Sequence, residues 1–207
     1  MKKLLLLPFL FIYVTFISQV TFTQLGTDID GEAAGDRSGQ SVSMNAAGDR
    51  VAIGAYWNDG NGADAGHVRI YYWDGTAWIQ VGTDIDGEAA DDLSGCSVSM
   101  NAAGDRVAIG APWNDGNGAN AGHVRIYQWD GTAWIQVGTD IDGEAAGDRS
   151  GQSVSMNAAG DRVAIGALSN DGNGADAGHV RIYQWDGTAW IQVGTDIDGE
   201  AAGDRSG

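Results

Sequence analysis

The sequence predicts an all-β fold: tandem four-stranded antiparallel blades forming a partial, open β-propeller of about three blades. Three observations predict it. The chain repeats itself at a fixed period, each period holds four short β-type runs, and no helical periodicity appears beyond the first residues.

Gln24, Gln80, Gln136 and Gln192 open the same run of residues, so the period is 56 (80 − 24). Full copies occupy 24–79, 80–135 and 136–191, and a partial copy occupies 192–207. Copies one and three differ at only four positions. Identity between copies therefore reports recent duplication, not which residues matter.

Each element of a copy has a local cause. Ser41-Val42-Ser43-Met44 alternates polar and apolar, the mark of a strand with one buried face. Asn45-Ala46-Ala47-Gly48-Asp49 is a turn. Arg50 to Ala55 is a second strand, rich in β-branched and small residues. A loop from Asn58 to Gly66 follows, then a strand from His67 to Trp73. Asp74-Gly75 signals a hairpin into a fourth strand, Ala77 to Val81. A second long loop, Thr83 to Ala90, leads to the next copy. A four-stranded unit of this length is too long for one coil of a β-helix and fits a propeller blade. Phe22-Thr23-Gln24-Leu25 aligns with Trp78-Ile79-Gln80-Val81, so the mature chain is expected to open on a fourth strand.

Lys2 and Lys3 precede an apolar run from Leu4 to Ile17. That run is short for a membrane span, which takes about 20 residues. It reads as a secretory signal peptide over 1–20, cleaved between Ser18 and Thr23, with an uncleaved anchor as the alternative. The expected location is secreted, extracellular or at the cell surface, with no membrane insertion of the mature chain, residues 21–207. Three blades do not close a ring. The end at Arg205-Ser206-Gly207 reads as a fragment of a longer protein, with assembly of several chains into one ring as the alternative.

The formal net charge is −17, and the only lysines are Lys2 and Lys3. A surface this acidic repels phosphate backbones, which excludes nucleic acid as a partner class. It also serves solubility. Protein and glycan ligands remain open. Cys96 is the only cysteine, so no intrachain disulfide and no cysteine zinc site can form. It stands where the other copies have Gln40 and Gln152.

The copies resemble the FG-GAP repeat, the blade of integrin α-chain-like propellers, in its bacterial secreted type. Gly54-Ala55-Tyr56, Gly110-Ala111-Pro112 and Gly166-Ala167-Leu168 match its GAP element. Ser38-Gly39, Ser94-Gly95 and Ser150-Gly151 stand in for its FG element. The resemblance implies the propeller fold and an extracellular binding or adhesion role. The family's calcium loop lies in the first hairpin with a D-x-D-x-D-G type sequence. Here that hairpin is Asn45-Ala46-Ala47-Gly48-Asp49, so the calcium site does not carry over.

In an up-and-down blade both long loops fall on one face. The loop after the fourth strand offers Asp28, Asp30 and Glu32, then Asp84, Asp86 and Glu88, then Asp140, Asp142 and Glu144. The loop after the second strand offers Asp59, Asn61 and Asp64, then Asp115 and Asn117, then Asp171, Asn173 and Asp176. Carboxylates and carbonyls around glycine turns make Ca2+ the candidate ion. Asp, Asn and Gly are equally the residues that turns require, and neither loop completes an EF-hand pattern. Tyr56, Trp57 and Trp113 are candidate contacts for a sugar or protein partner, against a packing role at the strand end. His67, His123 and His179, one per copy, read as structural. Catalysis needs a unique constellation, and the copies offer none. The leading expectation is a non-catalytic binding or adhesion module. The alternatives are part of a secreted polysaccharide-active propeller enzyme and a structural spacer in a large surface protein.

Overall fold

The computed structural model describes residues 21–207, and the expected signal peptide lies outside them. The first sheet comprises β1 (Ser41–Met44), β2 (Arg50–Ala55), β3 (His67–Trp73), β4 (Trp78–Gln80) and β5 (Ile85–Asp86). The second comprises β6 (Ser97–Met100), β7 (Arg106–Ala111), β8 (His123–Trp129), β9 (Trp134–Gln136) and β10 (Ile141–Asp142). The third comprises β11 (Ser150–Met156), β12 (Arg162–Ala167), β13 (His179–Trp185), β14 (Trp190–Gln192) and β15 (Ile197–Asp198). All pairings within the sheets are antiparallel. The fold is an open three-blade propeller.

One element differs from the sequence expectation. Ile85 and Asp86, assigned to a loop, pair with Val68 and His67 of β3. β4 pairs with the other end of β3, at Tyr71, Tyr72 and Trp73. The outer strand of each blade is thus one strand broken at 81–84. The break is too polar and glycine-rich to read as a strand interior, so sequence pattern alone merges it with the loop. A second expectation also changes: residues 21–25 form no strand. A strand needs a ladder partner, and residues 21–25 have none among the described residues. Leu25 still docks, because Trp78 Nε1 donates to its carbonyl at 3.0 Å.

The turns close as their residues dictate. Asn45 Oδ1 accepts from the Asp49 and Arg50 amides at 3.1 and 3.0 Å, sealing the β1–β2 hairpin. Asp74 Oδ1 accepts from the Thr76 and Ala77 amides at 2.7 and 2.8 Å, sealing β3–β4.

Most of the core lies between blades, and a smaller cluster of Val51, Ile53 and Tyr71 lies within the first. Val68, Ile70, Val81 and Ile85 pack on Val98, Met100, Val107 and Ile109. Val124, Ile126 and Ile141 pack in the same way on Val163 and Ile165. Hydrogen bonds set the register of the seam. The Met100 amide donates to Ser43 Oγ at 2.9 Å, and the Ala46 amide to the Ala102 carbonyl at 3.1 Å. Arg50 NH1 reaches the Gly104 carbonyl at 3.0 Å.

A close backbone approach in each seam joins the two signature glycines. A Cβ on Gly54 would sit 2.1 Å from the Gly95 carbonyl oxygen and 2.3 Å from Ser41 Oγ. Ser41 Oγ itself donates to that Gly95 carbonyl at 2.7 Å. Gly54 belongs to the GAP element of one blade and Gly95 to the FG-like element of the next. These glycines let two backbones meet where no side chain fits.

Candidate functional site

The two long loops of a blade meet on one face, as the up-and-down strand order requires. A parallel bridge joins Gly66 to Ser94, and Asn61 Nδ2 donates to the Gly87 carbonyl at 2.7 Å. Most polar groups of the β2–β3 loop are spent on its own turns. Asp59 Oδ1 accepts the Asp64 amide at 2.8 Å, and Asn58 Oδ1 accepts the Gly60 amide at 2.8 Å. Asp115 and Asp171 repeat the first bond with the Asn120 and Asp176 amides, each at 2.7 Å. Asn117 and Asn173 repeat the reach of Asn61, to the Gly143 and Gly199 carbonyls at 2.8 and 2.7 Å.

The broken outer strand brings a different set together. His67 opens β3, facing β5. Asp84 sits in the break just before β5, and Glu32 arrives from the loop that precedes the blade. His67 Nδ1 lies 3.8 Å from Glu32 Oε2 and 3.6 Å from Asp84 Oδ2. The set recurs as Glu88, His123 and Asp140, then as Glu144, His179 and Asp196. In each set the donor atoms lie within 4.8 Å of one another, which suits a metal ion. The site joins two blades at both later positions: Glu88 follows β5 of one blade, while His123 and Asp140 belong to the next.

The carboxylates are oriented from behind. Gln80 Nε2 donates to Asp84 Oδ1 at 2.6 Å, leaving Oδ2 toward the imidazole. Arg69 NH1 lies 3.4 Å from Glu32 Oε1, leaving Oε2 toward the imidazole. Arg69 NH2 donates to the Asp30 carbonyl at 3.0 Å, so Asp30 contributes through its main chain. Asp86 and Asp142 do the same for Arg125 and Arg181, each at 2.7 Å. Asp28 accepts from Gln24 Nε2 at 2.7 Å.

The imidazoles are 1 % exposed. Among the described residues, neither ring nitrogen of His123 or His179 has a hydrogen-bond partner. Burial, reinforced by Arg125, pushes His123 down to about 4 against the opposing pull of Asp140 and Asp92, which keeps the ring neutral. Burial also raises the Glu88, Asp86 and Asp142 carboxyls above their ordinary range.

Of the carboxylates singled out in the sequence, Glu32, Asp84, Glu88, Asp140 and Glu144 thus converge on a histidine. Asp59, Asn61 and Asp64 of the β2–β3 loop, and their counterparts Asp115, Asn117, Asp171, Asn173 and Asp176 in the β7–β8 and β12–β13 loops, do not join these sets. The sequence reads the histidines as structural, one per copy at the start of the third strand. The carboxylates beside them follow from the Ile-Asp ladder across from each one, which the sequence assigns to a loop.

The aromatic candidates lie on the same face and are solvent-facing. Trp57 packs edge-on to Tyr56 at 5.7 Å between centroids, with the Arg37 guanidinium 3.4 Å over its ring. Arg37 NH1 donates to the Tyr56 hydroxyl at 2.8 Å. The Arg149 guanidinium stands 5.6 Å from the Trp113 ring centroid.

The family model described as FG-GAP repeat matches residues 27–71 and 83–127. Two of the copies thus match the FG-GAP repeat, over less than half of the chain. Both matched segments run from the site loop through the third strand, so they include Gly54 and Gly110. The solved structure of a candidate 6-phosphogluconolactonase from Bacteroides uniformis is similar in fold, with a TM-score of 0.51 at 11 % identity. The likeness covers 80 % of this chain and 42 % of that one, so this chain spans less than half its length. At that identity the likeness speaks for the fold alone. No curated protein matches the chain in sequence.

Proposed function

We propose that the FG-GAP repeats form a secreted, non-catalytic binding module that presents its acidic loop face to a protein or glycan on a cell surface. The observation that carries this reading is the repetition of one loop-face constellation in every blade. An array of equal sites suits multivalent attachment, whereas catalysis takes one distinctive set of groups. Two further features support it. Trp57 and Trp113 stand on the loop face half-exposed, as aromatic anchors at interfaces do. The groove between the first two blades, about 300 Å3, is lined by Arg50, Tyr72, Gln80, Val81, Gly82 and Trp129, with no carboxylate or histidine.

The test is binding of the purified chain to arrays of surface glycans and extracellular proteins. A Trp57→Ala/Trp113→Ala double variant should lose at least tenfold in affinity. Thr76→Ala, on the opposite face, should bind as the parent does. Equal binding by both variants, or turnover of a bound glycan, would overturn the reading.

A further inference from the structure

We propose that each blade holds one divalent cation of the zinc type between a glutamate, a histidine and an aspartate: Glu32, His67 and Asp84, then Glu88, His123 and Asp140, then Glu144, His179 and Asp196. This goes beyond the binding role and does not depend on it.

The first argument is distance. A charge-assisted N–H···O bond closes at about 2.7–2.9 Å. Here the Nδ1 to carboxylate distances are 3.6–3.9 Å in all three sets. Three donors around a tetrahedral ion, each about 2.0–2.2 Å from it, stand about 3.4 Å apart. The gap is too wide for a proton to bridge, and a small contraction fits it to an ion.

The second argument is the unpartnered imidazole. His123 and His179 are 1 % exposed with Nδ1 unbonded and aimed at two carboxylate oxygens. Burying a polar nitrogen without a partner costs about 1–3 kcal/mol. A cation on Nδ1 removes that cost at both places at once. Nε2 then carries the proton and has no acceptor, so packing alone orients the ring.

The third argument is the arrangement behind the donors. Gln80, Gln136 and Gln192 hold the far oxygen of the aspartate at 2.6 Å in every set. Arg69, Arg125 and Arg181 stand 3.4–3.6 Å from the far oxygen of the glutamate. Metal ligands are held in this way from their outer side. The arginine adds positive charge nearby, and the two carboxylates of each set outweigh it.

The donor set selects the ion. Calcium takes six to eight oxygens. One imidazole with two carboxylates suits Zn2+, Co2+ or Ni2+. Three protein donors leave a fourth position for water on the half-exposed glutamate side.

The full chain, stripped with chelator, is titrated with Zn2+ by calorimetry and with Co2+ by visible absorption. The expected result is three Zn2+ per chain, tetrahedral Co2+ bands, and no displacement by millimolar Ca2+. His123→Asn should reduce the stoichiometry from three to two, as should Asp140→Ala. Gln136→Ala should keep three ions but weaken one about tenfold. Circular dichroism confirms that each variant is folded, and the Gln136 variant reports on the site should a ligand variant unfold. Fewer than one bound Zn2+, a stoichiometry unchanged in a folded His123→Asn or Asp140→Ala chain, or displacement by Ca2+ would overturn the proposal.

Discussion

The first and second blades carry the same inner strand, Ser-Val-Ser-Met, in opposite surroundings. In the second blade Val98 and Met100 are 9 % and 6 % exposed. In the first, Val42 and Met44 are 61 % and 54 % exposed. The residues, the strand register and the hairpin are alike. Only the neighbour differs: Val98 and Met100 lie against the preceding blade, and nothing among the described residues covers Val42 and Met44. A repeat buries little by itself, as the first blade does with Val51, Ile53 and Tyr71. The rest of its burial comes from the seam, as in other architectures where each unit contacts only its neighbours.

That difference can be tested by substitutions of falling weight. The largest contrast is Met100→Ala against Met44→Ala. The first should cost about 3 kcal/mol in urea unfolding and the second less than about 0.5 kcal/mol. Equal costs would mean that the first blade is covered as the second is. Gly110→Ala is next, at about 2–3 kcal/mol, because its Cβ would meet the Gly151 carbonyl oxygen at 2.0 Å across the seam. A neutral result would show that the signature glycines do not set the blade spacing.

A smaller effect should come from Leu93, which holds φ at 56° where the other blades place Arg37 and Arg149 at 55° and 58°. A left-handed backbone disfavours a bulky residue, and Asn tolerates it better. Leu93→Asn should raise the melting midpoint by the equivalent of about 0.5–1 kcal/mol. A fall would show that the Leu93 side chain packs to more effect than its backbone costs.

The smallest contrast should be none at all. Asp74, Asp130 and Asp186 each accept hydrogen bonds in the β3–β4 type turn, first from the alanine amide, and these hold the carboxyl below its ordinary value. A carboxyl lowered on folding stabilises above its unfolded value and loses that contribution as the pH falls through the folded one. NMR titration should therefore place all three midpoints below 3.8, alike in every blade. Divergent midpoints would show that the seam reaches the turn face.

Much of the fold was legible because its signals are local. Alternation marked β1, Asn45 and Asp74 marked the hairpins, and the 56-residue period marked the blade. The outer strand was only half legible. β5 is two residues long, and only its ladder to His67 and Val68 identifies it as a strand. The acidic candidates were legible as a class but not as a site. Asp59 and Asp84 look equivalent in sequence; one closes its own turn, and the other faces a buried histidine.

The sequence by itself determined the four-stranded unit, its turns and its repetition, because each rests on contacts between residues near in the chain. The tertiary structure decided which copies of Val and Met are buried, why Gly54 and Gly95 must both be glycine, and which carboxylates surround His67. Those outcomes depend on residues up to a full repeat apart meeting across a seam. No run within a single copy records what stands on the other side.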